Sequence, residues 1–297
     1  MQTLEELQAK IDTADDLRSV VKTMKALAAL SIRHFQEAVD SLRDYHHTVE
    51  FGLRIALRNR PEELSVAAPI GSKRAGAIII GSDQGMCGQF NEDIARYAAR
   101  KIGEMGIASS DGDILAIGLR LPFPLEQVGI QPGEVFSIPT SLSGITPLVQ
   151  DILLKMDRWR DERGVDRVMI LHNQPTSRQS YRSNTRQLLP VDADWLQALE
   201  ERRWTGKTLP MFTVGWDSLF SALIRQHLLV SVYQSVLESL AAENASRMAS
   251  MQAAERNIEE RIQELRKQFH QQRQSSITAE LLDIVGGFEA LSAESQQ

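Results

Sequence analysis

The sequence has very little cysteine and no long apolar run. Cys87 is the single cysteine among 297 residues, so an internal disulfide is excluded and a reducing compartment is expected. No run of about 18 apolar residues occurs, and no membrane-spanning helix is predicted. The formal net charge of −6 argues against a generally basic nucleic-acid-binding protein. The first residues have neither a basic segment nor an apolar core, so no secretory signal is expected.

The sequence also lacks the motifs of common catalytic and metal sites. One cysteine and scattered histidines make no zinc pattern, and the neighbours His46 and His47 point about 100° apart on a helix. Gly-x-Ser-x-Gly, Walker and kinase signatures are absent. We therefore predict no catalytic residue, no metal site and no cofactor on this chain.

Proline-free stretches at both ends of the sequence predict two long helices. No proline occurs before Pro61, and steps of three and four residues from Leu4 meet apolar side chains at all but three positions. A second helix is predicted from Trp216 to about Val285, where no proline interrupts the chain. Its ~70 residues correspond to a length on the order of 100 Å.

Both helices carry a seam of regularly spaced apolar residues, which predicts an antiparallel coiled coil. The seam of the second helix consists of Met248, Met251, Glu255, Ile258, Ile262, Leu265 and Phe269. After Phe269 two steps of four form a stutter, which locally unwinds a supercoil. Arg18 and Lys25 occupy seam positions of the first helix. We expect each to extend towards solvent or to meet a carboxylate of the partner helix, such as Glu255.

The middle of the sequence alternates between predicted strands and helices, which is typical of a mainly parallel, Rossmann-like sheet. The strands are expected at 75–80, 113–118, 166–172 and 180–189, and the helices at 92–101 and 147–163. The fold class is thus α/β plus a long α-helical antiparallel coiled coil. The expected domains are an N-terminal helix (1–60), a central α/β domain (71–210) and a C-terminal helix (216–288), with a linker from Pro61 to Gly71.

Two polar segments of the middle region invite a ligand-binding interpretation. The glycine-rich turn from Gly81 to Asn91 follows the first strand, but its spacing matches neither dinucleotide nor P-loop motifs. A tight strand-to-helix turn is therefore preferred. The Ser-, Thr- and Arg-rich segment 176–186 is interpreted as a polar edge strand rather than a phosphate or RNA surface.

Several of these segments resemble the γ subunit of F-type ATP synthases. The resemblance is carried by the run from Val232 to Asn257, by Arg273 to Gly287, and by Thr23-Met24-Lys25 with Ala28-Ala29. The turn from Ser82 to Asn91 is similar to the family motif Ser-Asp-Arg-Gly-Leu-Cys-Gly, with Gln84 where arginine is usual.

This resemblance implies a rotor shaft that couples ion translocation to ATP synthesis or hydrolysis without catalytic residues of its own. Its partners would be the α and β subunits of an α3β3 ring, an ε subunit and the membrane ring of c subunits, and no nucleic acid. It would be peripheral, at the cytoplasmic face of a bacterial inner membrane, and would contact the membrane through the complex alone. The implied contacts with the ring are Met24, Lys25, Arg247, Arg273, Gln274, Thr278 and Glu280.

The sequence departs from the family pattern in its first helix and before its last. Asp12, Asp15 and Asp16 stand where the family is usually basic, and Val214-Gly215-Trp216-Asp217 replaces the usual Tyr-Glu-Pro. These departures favour a divergent or alternate bacterial form. Two other interpretations stay open: an unrelated coiled-coil scaffold carrying an α/β module, and a nucleotide-binding α/β enzyme with helical arms.

Overall fold

Two long helices open and close the described part of the chain. Helix α1 covers Leu4–Arg58 and helix α6 covers Trp216–Glu294, so both predicted helices are confirmed. The computed structural model describes residues 3–61, 74–105, 113–176, 180–202 and 210–294. The predicted linker, apart from Pro61, lies outside these residues.

Helix α6 is longer than the sequence pattern predicts. It continues through Gly286 and Gly287 to Glu294, so the expected end near Val285 is wrong. Glycine in a helix interior costs only about 1 kcal/mol relative to alanine. No proline follows the glycine pair to block the next turn. The pair therefore weakens the helix locally without ending it.

The chain divides into two compact units. The helical unit consists of Met1–Leu27 and Met248–Gln297, and the mixed unit consists of Ala28–Arg247. Each long helix contributes residues to both units. The three domains 1–60, 71–210 and 216–288 stay a prediction.

The mixed unit contains a five-stranded sheet. Its strands are β1 (Ala75–Ile80), β2 (Ile114–Ile117), β3 (Glu134–Phe136), β4 (Arg167–Thr176) and β5 (Ser180–Leu189). Their order is β3-β2-β1-β4-β5; β1 to β4 run parallel and β5 is antiparallel to β4. This is the strand order of doubly wound α/β folds. The predicted fold class is confirmed, and the polar strand β5 lies at an edge as expected.

Strand side chains alternate between two buried faces of the sheet, because successive residues of a strand point to opposite sides. The shorter helices are α2 (Phe90–Met105), α3 (Pro122–Gln127), α4 (Leu142–Arg163) and α5 (Ala193–Glu201). Ala77 and Ile79 of β1 pack with α2 and α3, whereas Ile78 and Ile80 belong to the cluster that contains α4 and parts of α1 and α6. Covered on both faces, β1 is a continuous apolar run.

Several element boundaries differ from the sequence-based expectation. Helix α4 begins at Leu142 rather than at Pro147, which lies inside the helix. Proline favours helix starts, yet here the residues before it complete one further turn. Strand β4 continues beyond His172 because its polar end pairs with β5. The short elements α3, β3 and α5 carry no periodic pattern and were not predicted.

Candidate functional site

The helical unit is held together by an apolar seam between α1 and α6. Leu7 and Ile11 of α1 form a buried cluster with Leu265 of α6, and Phe269 packs against it. Each of the three clustered side chains is at most 5% exposed. All seven predicted seam positions of α6 are buried or half-buried, as are the sixteen positions counted from Leu4 in α1. The predicted seam positions are therefore confirmed.

Charged pairs bridge the same two helices. Lys25 makes a hydrogen-bonded ion pair with Glu255, which confirms one of the two outcomes expected for this seam lysine. The hydrogen bond from Lys25 lowers the pKa of Glu255. Arg18 lies 2.6 Å from Asp15 of its own helix and 3.5 Å from Glu259 of α6. As residue numbers fall along α1, the numbers of their partners on α6 rise. The two helices are therefore antiparallel within this unit.

The outer surface of the helical unit is partly apolar. Leu17, Val20 and Leu27 of α1 are each more than half exposed. With half-buried Met24 between Val20 and Leu27, they follow the spacing of one helix face. On α6 a second exposed set consists of Ile277, Leu281, Leu282, Ile284 and Val285, with exposures of 48–69%. Grouped exposed apolar side chains of this kind mark surfaces that bind other macromolecules.

The predicted contact residues lie in three places along the chain. Met24 and Lys25 are half-buried neighbours on α1. A second group of exposed side chains belongs to one stretch of α6 and consists of Arg273, Gln274, Thr278 and Glu280. The Thr278 hydroxyl donates a 2.9 Å hydrogen bond to the Gln274 carbonyl of its own helix. Arg247 belongs to the mixed unit and is treated below with its partners.

The glycine-rich turn after β1 is fastened by its own side chains. The Ser82 amide donates to Asn91 Oδ1 at 2.9 Å, and Asn91 Nδ2 donates to Ser82 Oγ at 2.8 Å. Asp83 Oδ1 accepts from the amides of Leu119 at 2.7 Å and Ile138 at 3.2 Å. The Asp83 carboxylate thereby connects the turn to the segments that follow β2 and β3.

Helix α6 supplies the hydrogen-bond donors that meet this turn. Ser246 Oγ donates to the Cys87 carbonyl at 2.6 Å, and Arg247 donates to the Gly85 carbonyl at 3.4 Å. The Arg247 side chain, 11% exposed, also pairs with Glu243 at 2.5 Å. A phosphate site needs amide donors facing the ligand, whereas these turn carbonyls face donors of α6. The turn holds α6, which agrees with the preferred sequence interpretation.

The described residues contain neither a group of three potential metal ligands nor a helix long and apolar enough to cross a membrane. Fold and surface together define a class of protein that combines a doubly wound domain with a pair of long helices bearing exposed side chains. The mixed unit anchors the long helix through buried polar contacts. The helical unit carries exposed apolar and polar side chains along both of its helices.

Comparisons with known proteins agree with this class. A family model described as ATP synthase matches residues 3–291. The ATP synthase gamma chain of Buchnera aphidicola subsp. Diuraphis noxia is 30% identical, covering 98% of this chain and 99% of the relative. The ATP synthase gamma chain of Nitrosococcus oceani is 28% identical, covering 96% of this chain and 98% of the relative. The chain therefore belongs to the ATP synthase gamma-chain family. It is the central rotor stalk subunit and is itself non-catalytic.

Solved structures share its fold. The chain resembles a rotor chain of the Euglena gracilis mitochondrial ATP synthase with a TM-score of 0.59 and 17% identity, covering 92% of this chain and 98% of that one. A chain of the Tetrahymena thermophila central stalk and c-ring structure gives a TM-score of 0.56 and 20% identity, covering 79% and 99%. At these identities the likeness describes the fold.

Proposed function

We propose that this chain turns inside an α3β3 ring and transmits torque between that ring and a membrane ring of c subunits. The observation that carries the proposal is the antiparallel helix pair, with its buried seam and its exposed side chains. A helix pair whose seam is already filled cannot use that seam to bind a partner. Its outward surface is left for the ring. The related structures are described as a rotor and as a central stalk with c-ring, which supports the same arrangement.

The proposed ring contacts are Met24, Lys25, Arg273, Gln274, Thr278 and Glu280, and Arg247 is proposed to affect the ring indirectly. On α6 the exposed polar members lie beside the exposed apolar Ile277 and Leu281. Mixed surfaces of this type give orientation-dependent attraction without a deep apolar anchor. Met24 adds a side chain that repacks easily against different neighbours. Arg247 is engaged with Glu243 and the turn carbonyls, so we assign it an indirect effect through the turn.

We further propose an ε subunit as a partner and a peripheral location at the cytoplasmic face of a bacterial inner membrane. The support is the match to bacterial gamma chains along nearly the whole sequence. Contact with the membrane then depends on the other subunits of the complex.

Native purification of the tagged chain from its own cells tests the proposed partners. We expect α and β in roughly threefold excess over the chain, together with ε, c subunits and ATPase activity. Recovery of the chain alone, or with unrelated proteins, under conditions that preserve such complexes would refute the proposal. In that case the coiled-coil scaffold becomes the better interpretation.

A further inference from the structure

Helix α6 crosses the mixed unit as a buried helix that nevertheless contains several polar side chains. From Val230 to Ala245 nearly every residue is buried or half-buried, including Glu238 at 5% exposure. Apolar side chains of the same span, Val232, Val236 and Leu240, belong to the main core cluster. A carboxylate in such a position requires a specific set of partners, because an unpaired buried charge is strongly unfavourable.

Two strands supply those partners. His172 of β4 is fully buried, and its Nε2 lies 2.8 Å from Glu238 Oε2. Arg186 of β5 places Nη2 3.7 Å from the same oxygen and donates from Nη1 to the Ser231 carbonyl of α6 at 2.9 Å. Gln234 Nε2 donates to Glu238 Oε1 at 2.7 Å. The sheet therefore holds α6 at two positions, residues 231 and 238.

We propose that Glu238, His172 and Arg186 form a joint that fixes the angular register of α6 on the sheet, so that torque passes between the α/β domain and the shaft without slip. This inference rests on the proposed function. Glu238 is a positioning residue in this scheme, because it acts through the orientation of α6.

The apolar contacts alone would hold α6 against the sheet but would not select one angle as sharply. Apolar burial is non-directional, whereas hydrogen bonds weaken steeply when the donor angle falls. Rotation of α6 by one residue, about 100°, would move Glu238 away from both strands. Buried ion pairs add little net stability compared with apolar side chains of similar size. Register is therefore the property that this network contributes.

The protonation states fit this geometry. Burial lowers the pKa of His172, so its imidazole is neutral and donates from Nε2. Burial alone would raise the pKa of Glu238, but the hydrogen bond from His172 and the charge of Arg186 outweigh it and lower that pKa. The result is an ionised carboxylate with a neutral donor on one side and a cation on the other.

The test uses the whole ATP synthase with variants of this chain, reconstituted in vesicles. Glu238→Leu replaces the carboxylate with an apolar side chain of similar size. Glu238→Gln retains an oxygen that accepts the hydrogen bond from His172. The matched control is Ser239→Ala, because Ser239 is fully buried beside Glu238 on the same helix and its hydroxyl bonds none of the described residues. Two quantities are measured. One is the number of ions pumped per ATP hydrolysed, and the other is the angular spread of a probe attached to the mixed unit.

We expect Glu238→Leu to assemble and to hydrolyse ATP. The number of ions pumped per ATP should fall and the angular spread should widen, each by about twofold, which corresponds to the lower end of the coupling energies of residues between two linked sites. Glu238→Gln should restore most of the loss, and Ser239→Ala should match the wild type. Equal coupling in Glu238→Leu and wild type would overturn the joint. Equal defects in Ser239→Ala and Glu238→Leu would overturn it too, since general packing would explain both.

A second variant keeps the test decisive if Glu238→Leu fails to assemble. Arg186→Leu alters a side chain that is 24% exposed and leaves the His172–Glu238 hydrogen bond in place. It should widen the angular spread in an assembled complex, and a spread equal to wild type would refute the joint. A wild-type chain that joins no α3β3 complex would refute the proposed function itself, and the joint with it.

Discussion

His227 of α6 makes the stability of the mixed unit sensitive to mild acid. Its ring stacks on Trp195 of α5 with centroids 4.4 Å apart, and the His46 ring of α1 lies 5.5 Å away. Burial, with smaller contributions from the charges of His46 and Arg186, lowers the pKa of His227 to about 4. An unfolded histidine has a pKa of about 6.5. The unfolded chain therefore binds this proton first as the pH falls.

The sign and size of the effect follow from linkage. Between pH 6.5 and pH 4 the unfolded state binds more protons than the folded state, so stability is lost as the pH decreases. A shift from 6.5 to about 4 makes the folded state about 2 kcal/mol less stable at pH 5 than at pH 7. Because His227 is only half-buried, partial solvent screening reduces the expected loss to about 1–2 kcal/mol.

Urea unfolding at several pH values measures this loss. His227→Gln removes the titrating group, so the decrease in unfolding free energy between pH 7 and pH 5 should shrink by about 1–2 kcal/mol relative to wild type. His47→Gln is the control, because the His47 side chain is 75% exposed. Identical pH dependence in His227→Gln and wild type would refute the link between burial of this ring and acid sensitivity.

Three further substitutions test packing and turn chemistry. Gly76→Ala places a Cβ 3.0 Å from the Trp159 ring, so overpacking should cost about 1–3 kcal/mol in urea unfolding. Leu265→Ala removes a seam side chain that is 4% exposed and should cost about 2–5 kcal/mol, measured by loss of helical circular dichroism on heating. Asp83→Ala leaves the Leu119 amide without its acceptor and should cost about 1–3 kcal/mol in the same urea assay.

Each of these substitutions has a contrary outcome. Wild-type stability of Gly76→Ala would mean that the Trp159 ring shifts without cost. An unchanged melting curve for Leu265→Ala would show that the seam does not hold the helical unit. For Asp83, the control is Asp151→Ala, at an exposed aspartate of α4 in the same unit; equal losses in both would argue against a special role of the turn.

The sequence predicted best those elements whose pattern is complete within a few residues. Strand β1 has its predicted ends because its continuous apolar run is buried on both faces. Strand β4 was predicted too short because its last residues are polar and gain their place only from pairing with β5. The three-residue strand β3 is held by its neighbour β2. A strand of three residues is too short to show a periodic pattern in the sequence.

The candidate site likewise contains features that a local sequence pattern predicts and features that depend on long-range contacts. The seam pair Lys25–Glu255 was predictable because both residues interrupt apolar periodicity at matching positions. Glu238 also interrupts an apolar stretch of α6, and His172 directly follows the apolar run of β4. Their partnership could not be derived from spacing, because the two are 66 residues apart and meet only when α6 lies on β4. A polar residue beside or inside a buried apolar run therefore indicates a partner elsewhere in the fold, without identifying it.

The two units use charged residues in opposite ways. This difference supports a shaft whose helix α6 is fixed in angle within the mixed unit and whose outer surface is unconstrained within the helical unit. In the helical unit the ion pairs of Arg18 and Arg266 with Asp15 are partly exposed, and such pairs add little stability. The apolar seam must hold that unit, which leaves its outer surface unconstrained. In the mixed unit Glu238 is buried, so its partners fix one arrangement. A helix that transmits torque requires a fixed register where it is driven and a surface without deep anchors where it turns.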